Sequence, residues 1–427
     1  MIEKTVREEA KRLINLTKQT YKIFGLSFLL KEVKRYILHG PLEVADYREN
    51  DDDINYGIKD YSPEKVAIIL KSFVSNPKIS IITPIYNVLP KYLNVCIESV
   101  ISQCYTNWEL CLYDDCSTSE ATIQCLKSWV GRDTRIKIAF GNENKHISLA
   151  SNQAIKMATG EFIALLDHDD ELASFALLEV VKSINENPDV GLIYSDEDFI
   201  SLKGNYYNPH FKSDFNSSLL LSYNYICHFA VVRRELGDDL GWFREGYEGA
   251  QDYDLFLRIM EESKKIVHVP KILYHWRQSA TSTSLDFDGK SYANEAAKKA
   301  LSDYALRNGI KMEVLDGFAV GSYRFKREII TTEKVTIIIP FKDQVHFLKN
   351  CIESAIAKTR YENFEILLVS NNSVEEKTFL YLNSVKETDS RIKVLEYNHP
   401  FNYSAINNWA VQQSDGAYVL LLNNDTK

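Results

Sequence analysis

Four carboxylates fall within five positions in the stretch LLDHDDEL, residues 165–172: Asp167, Asp169, Asp170 and Glu171. They follow the apolar run EFIA, where a buried strand is ending. Like charges this close repel, so the cluster needs water or a cation to offset it. A solvated turn is one account. The other is a site for a hard divalent cation, because Mg²⁺ or Mn²⁺ takes one or two carboxylates together with water or phosphate oxygens. Two further polar groups also end apolar runs. SIITPIYN leads through Pro84 to Asn87, and LYDDCST closes on Asp114 and Asp115. An Asx-type turn would explain the Asp pair locally. Three such ends on one rim are more than a single solvated turn requires.

The elements that must position these residues are legible from the period of the pattern. KISIITP (78–84), WELCLYDD (108–115), RIKIAF (135–140) and EFIALL (161–166) read as strands. The segments 89–103, 118–130 and 148–159 between them have helical spacing. Four such β-α repeats predict an α/β fold with an open, mostly parallel sheet and helices on both faces. Ligands of such sheets sit beyond the carboxyl ends of the strands, where the acids fall.

The pattern then repeats. KVTIIIPF (334–341) restates KISIITPI (78–85), DSRIKV (389–394) restates DTRIKI (133–138), and GAYVLLLNND (416–425) restates GEFIALLDHD (160–169). CIESAI (351–356) likewise restates CIESVI (96–101). A period of about 256 residues suits a duplicated domain rather than a solenoid. The expected organisation is a helical, basic segment with an acidic linker over 1–75, a full domain over 76–284, a helical connector over 285–333, and a partial second domain over 334–427. The second copy stops just past its version of the acidic motif, so the chain is expected to be a fragment of a longer protein.

Composition narrows the classes. The chain has 427 residues, 45% of them hydrophobic, and a net charge of -9. A large core is affordable, and nucleic acid is an unlikely partner without a basic face. Residues 1–40 carry nine Lys or Arg against four Glu, which suits peripheral contact with an anionic membrane or an ordinary helix packed on the domain. Seven cysteines without a Cys-x-x-Cys pair argue against a disulfide framework or a zinc site and suit a reducing cytosol. No signal peptide and no apolar run long enough to span a membrane is evident. The expected place is the cytoplasm, with the inner face of the cytoplasmic membrane as an option.

The turn after the first strand, TPIYNVLP, has neither the G-x-G-x-x-G of a dinucleotide site nor a P-loop lysine. A nucleoside diphosphate on this rim would need another counter-charge, and a cation held by Asp167 and Asp169 would supply it. Taken in order, SIITPIYN, LYDDCST, LLDHDDEL, GAQDYDLFLR and YHWR resemble a family 2 glycosyltransferase of the GT-A fold. The resemblance covers 78–284 in full and 334–427 as a first half. It implies a nucleotide-sugar donor, Mn²⁺ or Mg²⁺, and transfer with inversion at the sugar carbon.

Carried over to this chain, the resemblance implies that Pro84, Tyr86, Asn87 and Asn152 lie near the nucleotide sugar. Asp114 or Asp115 would accept from base or ribose. Asp169 would bind the metal, and Asp167 the ribose or metal. Asp252 would be the general base that a single displacement requires, although Asp at a helix start is also a good N-cap. Gln251 stands where the family often has Glu, and would face the acceptor. His275 would be a third metal or phosphate ligand, and Arg277 would face the leaving diphosphate. Asp196 and Glu197 in YSDEDF would contact sugar hydroxyls, or form an exposed turn. In the second copy LYDD becomes LVSN and DHD becomes Asn423-Asn424-Asp425, so 334–427 is expected to be catalytically silent. The expected activity is transfer to a glycan or lipid-linked acceptor in bacterial surface polysaccharide assembly. A non-catalytic nucleotide-sugar-binding or scaffolding protein of the same fold is the alternative.

Overall fold

The computed structural model describes residues 61–201, 204–263, 265–277, 289–329 and 332–427, the side chains of 289–291 apart. The basic segment 1–40 and most of the acidic linker lie outside the described residues. The chain forms two compact units that divide after Arg327.

The first unit opens with helix α1 (Pro63–Ser72), capped by Ser62 and started by Pro63. Strands β1 (Ile79–Ile85), β2 (Trp108–Asp114), β3 (Ile136–Phe140) and β4 (Phe162–Leu165) follow. Helices α2 (Pro90–Ile101), α3 (Glu120–Trp129) and α4 (His146–Met157) connect them. These four strands pair in parallel in the order β3-β2-β1-β4. Continuous apolar runs fit strands covered on both faces. Ile79, Ile81 and Ile85 enter one hydrophobic cluster, Ile82 the other.

Beyond β4 the sheet becomes mixed. Strands β5 (Glu171–Leu172), β6 (Leu192–Ile200), β7 (Tyr206–His210), β8 (Ala230–Arg233) and β9 (Ile266–Arg277) extend it to nine strands. Only β6 and β9 pair in parallel there; β8 runs antiparallel to β4 and β6, β5 to β9, and β7 to β6. Helix α5 (Ala176–Glu186) lies between β5 and β6, α6 (Ser217–Ser222) between β7 and β8, and α7 (Arg234–Leu240) and α8 (Gln251–Glu262) between β8 and β9.

Helix α9 (Gly289–Arg307) packs into this unit. Its Ala297, Ala300 and Leu301 share a core with Tyr253 and Leu257. A hairpin, β10 (Met312–Asp316) and β11 (Tyr323–Arg327), ends the unit.

The second unit holds four parallel strands, β12 (Val335–Phe341), β13 (Phe364–Ser370), β14 (Ile392–Glu396) and β15 (Tyr418–Leu421), in the order β14-β13-β12-β15. Helices α10 (Val345–Lys358), α11 (Glu376–Thr388) and α12 (Tyr403–Val411) connect them. Ile79 stands opposite Trp108 and Phe162, and Val335 stands opposite Phe364 and Tyr418, each residue 256 positions on. A buried carboxylate recurs with the same spacing. Glu109 takes Lys78 at 2.9 Å, Lys137 at 2.8 Å and the Ser80 hydroxyl at 2.7 Å. Glu365 takes Lys334 at 3.6 Å, Lys393 at 2.8 Å and the Thr336 hydroxyl at 2.7 Å. Each staples three neighbouring strands near their amino ends.

Among the described residues, no helix is long and apolar enough to cross a membrane.

Candidate active site

The carboxyl ends of β1 and β4 meet as expected. The His168 Nδ1 lies 3.1 Å from the Pro84 carbonyl, and the Asp115 N–H donates to Ile85 O at 2.8 Å. After β4 the chain turns tightly, with the Asp170 N–H donating to Asp167 O at 3.3 Å. That turn sets Asp167 and Asp170 on the same side, and one ligand atom each from Asp167, Asp170 and His228 come within 4.8 Å of one another. Asp167 and His228 line a cleft together with Pro84, Cys227, Gln251 and Asp252.

Electrostatics follow from burial. Asp170 is fully enclosed, and burial first, then Asp169 and Asp167, push its carboxyl well above the usual range. The Tyr274 hydroxyl and the Arg277 backbone N–H donate to its two oxygens, at 2.5 and 2.6 Å. Asp169 is raised by burial too. Burial alone would lower His228, but Glu197, Asp167 and Asp170 raise it to about 9. Without another cation, the imidazolium is therefore the local counter-charge.

Asp252 stands in the first turn of α8, as the spacing predicts. Burial raises its carboxyl above the ordinary value, which makes it a stronger base. Its Oδ2 accepts from the Asn224 side-chain amide at 2.8 Å. Gln251 lines the cleft, with its Oε1 accepting the Gly249 N–H at 2.7 Å.

Other expected residues lie elsewhere. His275 does not join Asp167 and Asp169. The pairing of β9 sets it opposite Glu171 and Asp198, and its Nδ1 is 2.6 Å from Asp198. Arg277 is turned into the acidic bend, where its Nε donates to Asp169 O at 2.8 Å and its Nη2 pairs with Glu171. It offsets the acids of the turn rather than facing the cleft. Asp196 and Glu197 are not an exposed turn but buried in β6. Asp196 Oδ1 accepts the Lys212 N–H at 2.8 Å and lies 2.8 Å from His268 Nε2, while Glu197 faces Lys212, His210 and His228. With their charges compensated internally, these acids do not need solvent.

On the nucleotide side, Asn87 Oδ1 accepts the backbone N–H groups of Thr118 and Ser119, at 2.8 and 2.9 Å, which fixes the loop after β2. Asn152 is held in both directions by the Phe243 backbone. Asp115 accepts the Lys145 N–H at 2.9 Å. Asp114 Oδ2 accepts the Ser117 N–H at 3.1 Å, and its buried Oδ1 has no partner among the described residues. Tyr86 is exposed beside them.

Sequence reading missed His228 and Asn224, which lie in the segment SYNYICHF without a recognisable spacing. Asp170 was visible within the acidic cluster, but only the turn geometry separates its place from that of Asp169.

Residues 80–241 and 336–427, more than half of the chain, match the family described as glycosyl transferase family 2. The chain belongs to that family. Similar proteins include the O-antigen biosynthesis protein RfbC of Myxococcus xanthus, 38% identical over 82% of this chain and 27% of that protein. The uncharacterized protein y4gI of Sinorhizobium fredii is 42% identical over 85% of this chain and 40% of that protein. This glycosyltransferase-family chain thus spans less than half the length of either relative. Among solved structures, S. aureus TarS 1–349 in complex with UDP-GlcNAc matches with a TM-score of 0.43 and 20% identity, over 54% of this chain and 72% of that one.

Proposed function

We propose that the first unit is an inverting, metal-dependent glycosyltransferase that moves a sugar from a nucleoside-diphosphate donor to a glycan or lipid-linked acceptor in surface polysaccharide assembly. The observation that carries this reading is one cleft holding a half-buried carboxylate, Asp252, together with Asp167 and His228, two of the three members of the Asp167–Asp170–His228 group. A base and a cation site in one cleft are what direct displacement of a diphosphate needs. RfbC is named for O-antigen biosynthesis, which supports the polysaccharide setting.

The residues present fit a divalent cation. Two carboxylates and an imidazole, whose ligand atoms all lie within 4.8 Å of one another, form a donor set that suits Mn²⁺, and Mg²⁺ less well because of the nitrogen. Asp167, Asp170 and His228 would hold it. When bound, it would neutralise the departing diphosphate. Asp252 accepts the acceptor hydroxyl proton while Asn224 holds its Oδ2. Pro84 and the loop fixed by Asn87 shape the wall on the nucleotide side.

The repeated register and the repeated buried glutamates support a duplication in which the second unit restates the nucleotide-binding half. In that unit Asn423 and Thr426 stand where Asp167 and Asp170 stand in the first, joined by the same bend (Thr426 N–H to Asn423 O, 3.2 Å). The turn is kept without carboxylates at those two positions, with Asp425 left alone, which favours a structural or scaffolding role for this unit.

Thermal unfolding against UDP, dTDP, GDP and CDP, each with and without Mn²⁺, tests the reading. The expected result is a rise of several degrees with one nucleotide only when metal is present, since a ligand at 100 times its Kd adds about 2.7 kcal/mol. No shift with any pair would remove the metal-dependent donor site. For the base, Asp252→Asn is expected to lower transfer by roughly 10²–10⁴-fold with the nucleotide shift unchanged.

A further inference from the structure

Lys212 follows β7, and its side chain is completely buried. An ammonium in that position costs several kcal/mol of desolvation unless every proton is matched. Here three acceptors converge on it. Nζ lies 3.0 Å from Glu197 Oε2 and 2.7 Å from the Ile226 carbonyl, and it also contacts the His228 carbonyl. The same Glu197 oxygen lies 3.3 Å from His228 Nδ1. The far ring nitrogen, His228 Nε2, lies 3.9 Å from Asp167 Oδ2. The Tyr274 ring stacks on the imidazole at 4.7 Å and 16°, so its plane is set as well.

We infer that Glu197 and Lys212 are positioning residues that aim His228 Nε2 at the cation site formed with Asp167 and Asp170. This rests on the metal reading above. With Nδ1–H donating to the Glu197 carboxylate, Nε2, the nitrogen nearest Asp167, is the one left to exchange its proton for a cation. Such a carboxylate behind a ligating histidine fixes its tautomer and raises its basicity, and its loss costs a metal site roughly 10–100-fold in affinity. Lys212 completes the arrangement from behind. It balances the Glu197 charge and, through the carbonyls of Ile226 and His228, ties down the backbone that carries the ring. Neither side chain touches the cleft. The pair therefore acts through His228, not on substrate.

The experiment measures Mn²⁺ binding to the full chain by the electron paramagnetic resonance of free Mn²⁺, with no nucleotide present. The variants are Glu197→Gln, the double variant Glu197→Gln/Lys212→Met, and His210→Ala as a control. The double variant removes both buried charges together, so it keeps the fold even where a single change leaves one charge stranded. The expected result is a loss of about 10–100-fold in Mn²⁺ affinity for the two Glu197 variants. His210 touches the other oxygen, Glu197 Oε1, and its removal is expected to leave Mn²⁺ affinity at the wild-type level. A folded double variant that binds Mn²⁺ like wild type overturns the positioning role alone. Wild-type protein that binds no Mn²⁺ overturns the metal reading and this inference with it.

Discussion

Asn224 donates its side-chain amide to Asp252 Oδ2 across 2.8 Å, so the loop before β8 holds one edge of the carboxylate at the start of α8. That contact also lowers the Asp252 pKa against the larger, opposing effect of burial.

Asn224→Ala should therefore do two things. The carboxylate loses its orientation, worth about 1 kcal/mol, so kcat is expected to fall roughly five- to ten-fold. Its pKa rises further, because a group that favours the charged form is gone. As the proposed base, Asp252 must be ionised to act, so activity should be lost as pH falls through its pKa, and the acid limb of the rate profile should move to higher pH. A variant with reduced kcat and an unmoved acid limb would show that Asn224 serves only to hold the loop.

Tyr274 links the two halves of the acidic site, with its hydroxyl on Asp170 and its ring on His228. Tyr274→Phe keeps the stack and removes the donor. Asp170, buried without an exit to water, then loses a bond worth about 1.5–3 kcal/mol if the carboxylate is charged. Thermal unfolding should show a fall of several degrees. An unchanged midpoint would mean that Asp170 is held well enough by the Arg277 N–H alone.

Much of this was legible from the chain. The four parallel strands, the rim at their carboxyl ends, and Asp252 in the first turn of α8 follow from apolar periodicity and turn residues, which are local signals. Partners were less legible. His275 was expected to be a ligand because the family resemblance implies one in YHWR, but strand pairing turned it to Asp198. Arg277 looked like a phosphate contact, yet the acids of its own neighbouring turn claim it. Asp196 and Glu197 read either as contacts for sugar hydroxyls or as an exposed turn, because four polar or charged residues in a row suit both. Their counter-charges, Lys212, His210 and His268, come from other elements that no spacing in the segment announces. His228 was invisible for the same reason: its importance comes from what three distant segments place around it.

Acid should loosen the second unit in a defined window. Glu365 is buried, which alone would raise its pKa, but Lys393, Thr336 and the Asp415 N–H hold it down at about 2, below the ordinary 4.5. A depressed folded-state value contributes stability that is present above the ordinary value and is lost as pH falls toward 2. Glu365→Gln should lower the unfolding temperature of this unit near neutral pH and flatten its fall between about pH 5 and pH 2. A variant with the wild-type slope would place the acid sensitivity in other carboxylates.

The two glycines that open β4 and β15 offer a test of packing in each unit separately. A Cβ on Gly160 would stand 2.5 Å from the Lys78 carbonyl and 2.9 Å from the Ser80 nitrogen. On Gly416 it would stand 2.7 Å from the Thr336 nitrogen. Backbone atoms cannot rotate away, so Ala at either position forces β1 and β4, or β12 and β15, apart at the end where they begin to pair. A cost of about 1–3 kcal/mol is expected from such overpacking. Gly160→Ala should lower the unfolding midpoint and, by shifting β4, weaken Mn²⁺ binding at Asp167. Gly416→Ala should lower stability as well but leave Mn²⁺ affinity unchanged, because Asn423 and Thr426 offer the second bend no paired carboxylates. Equal loss of Mn²⁺ affinity in both variants would mean that the second unit takes part in binding the cation.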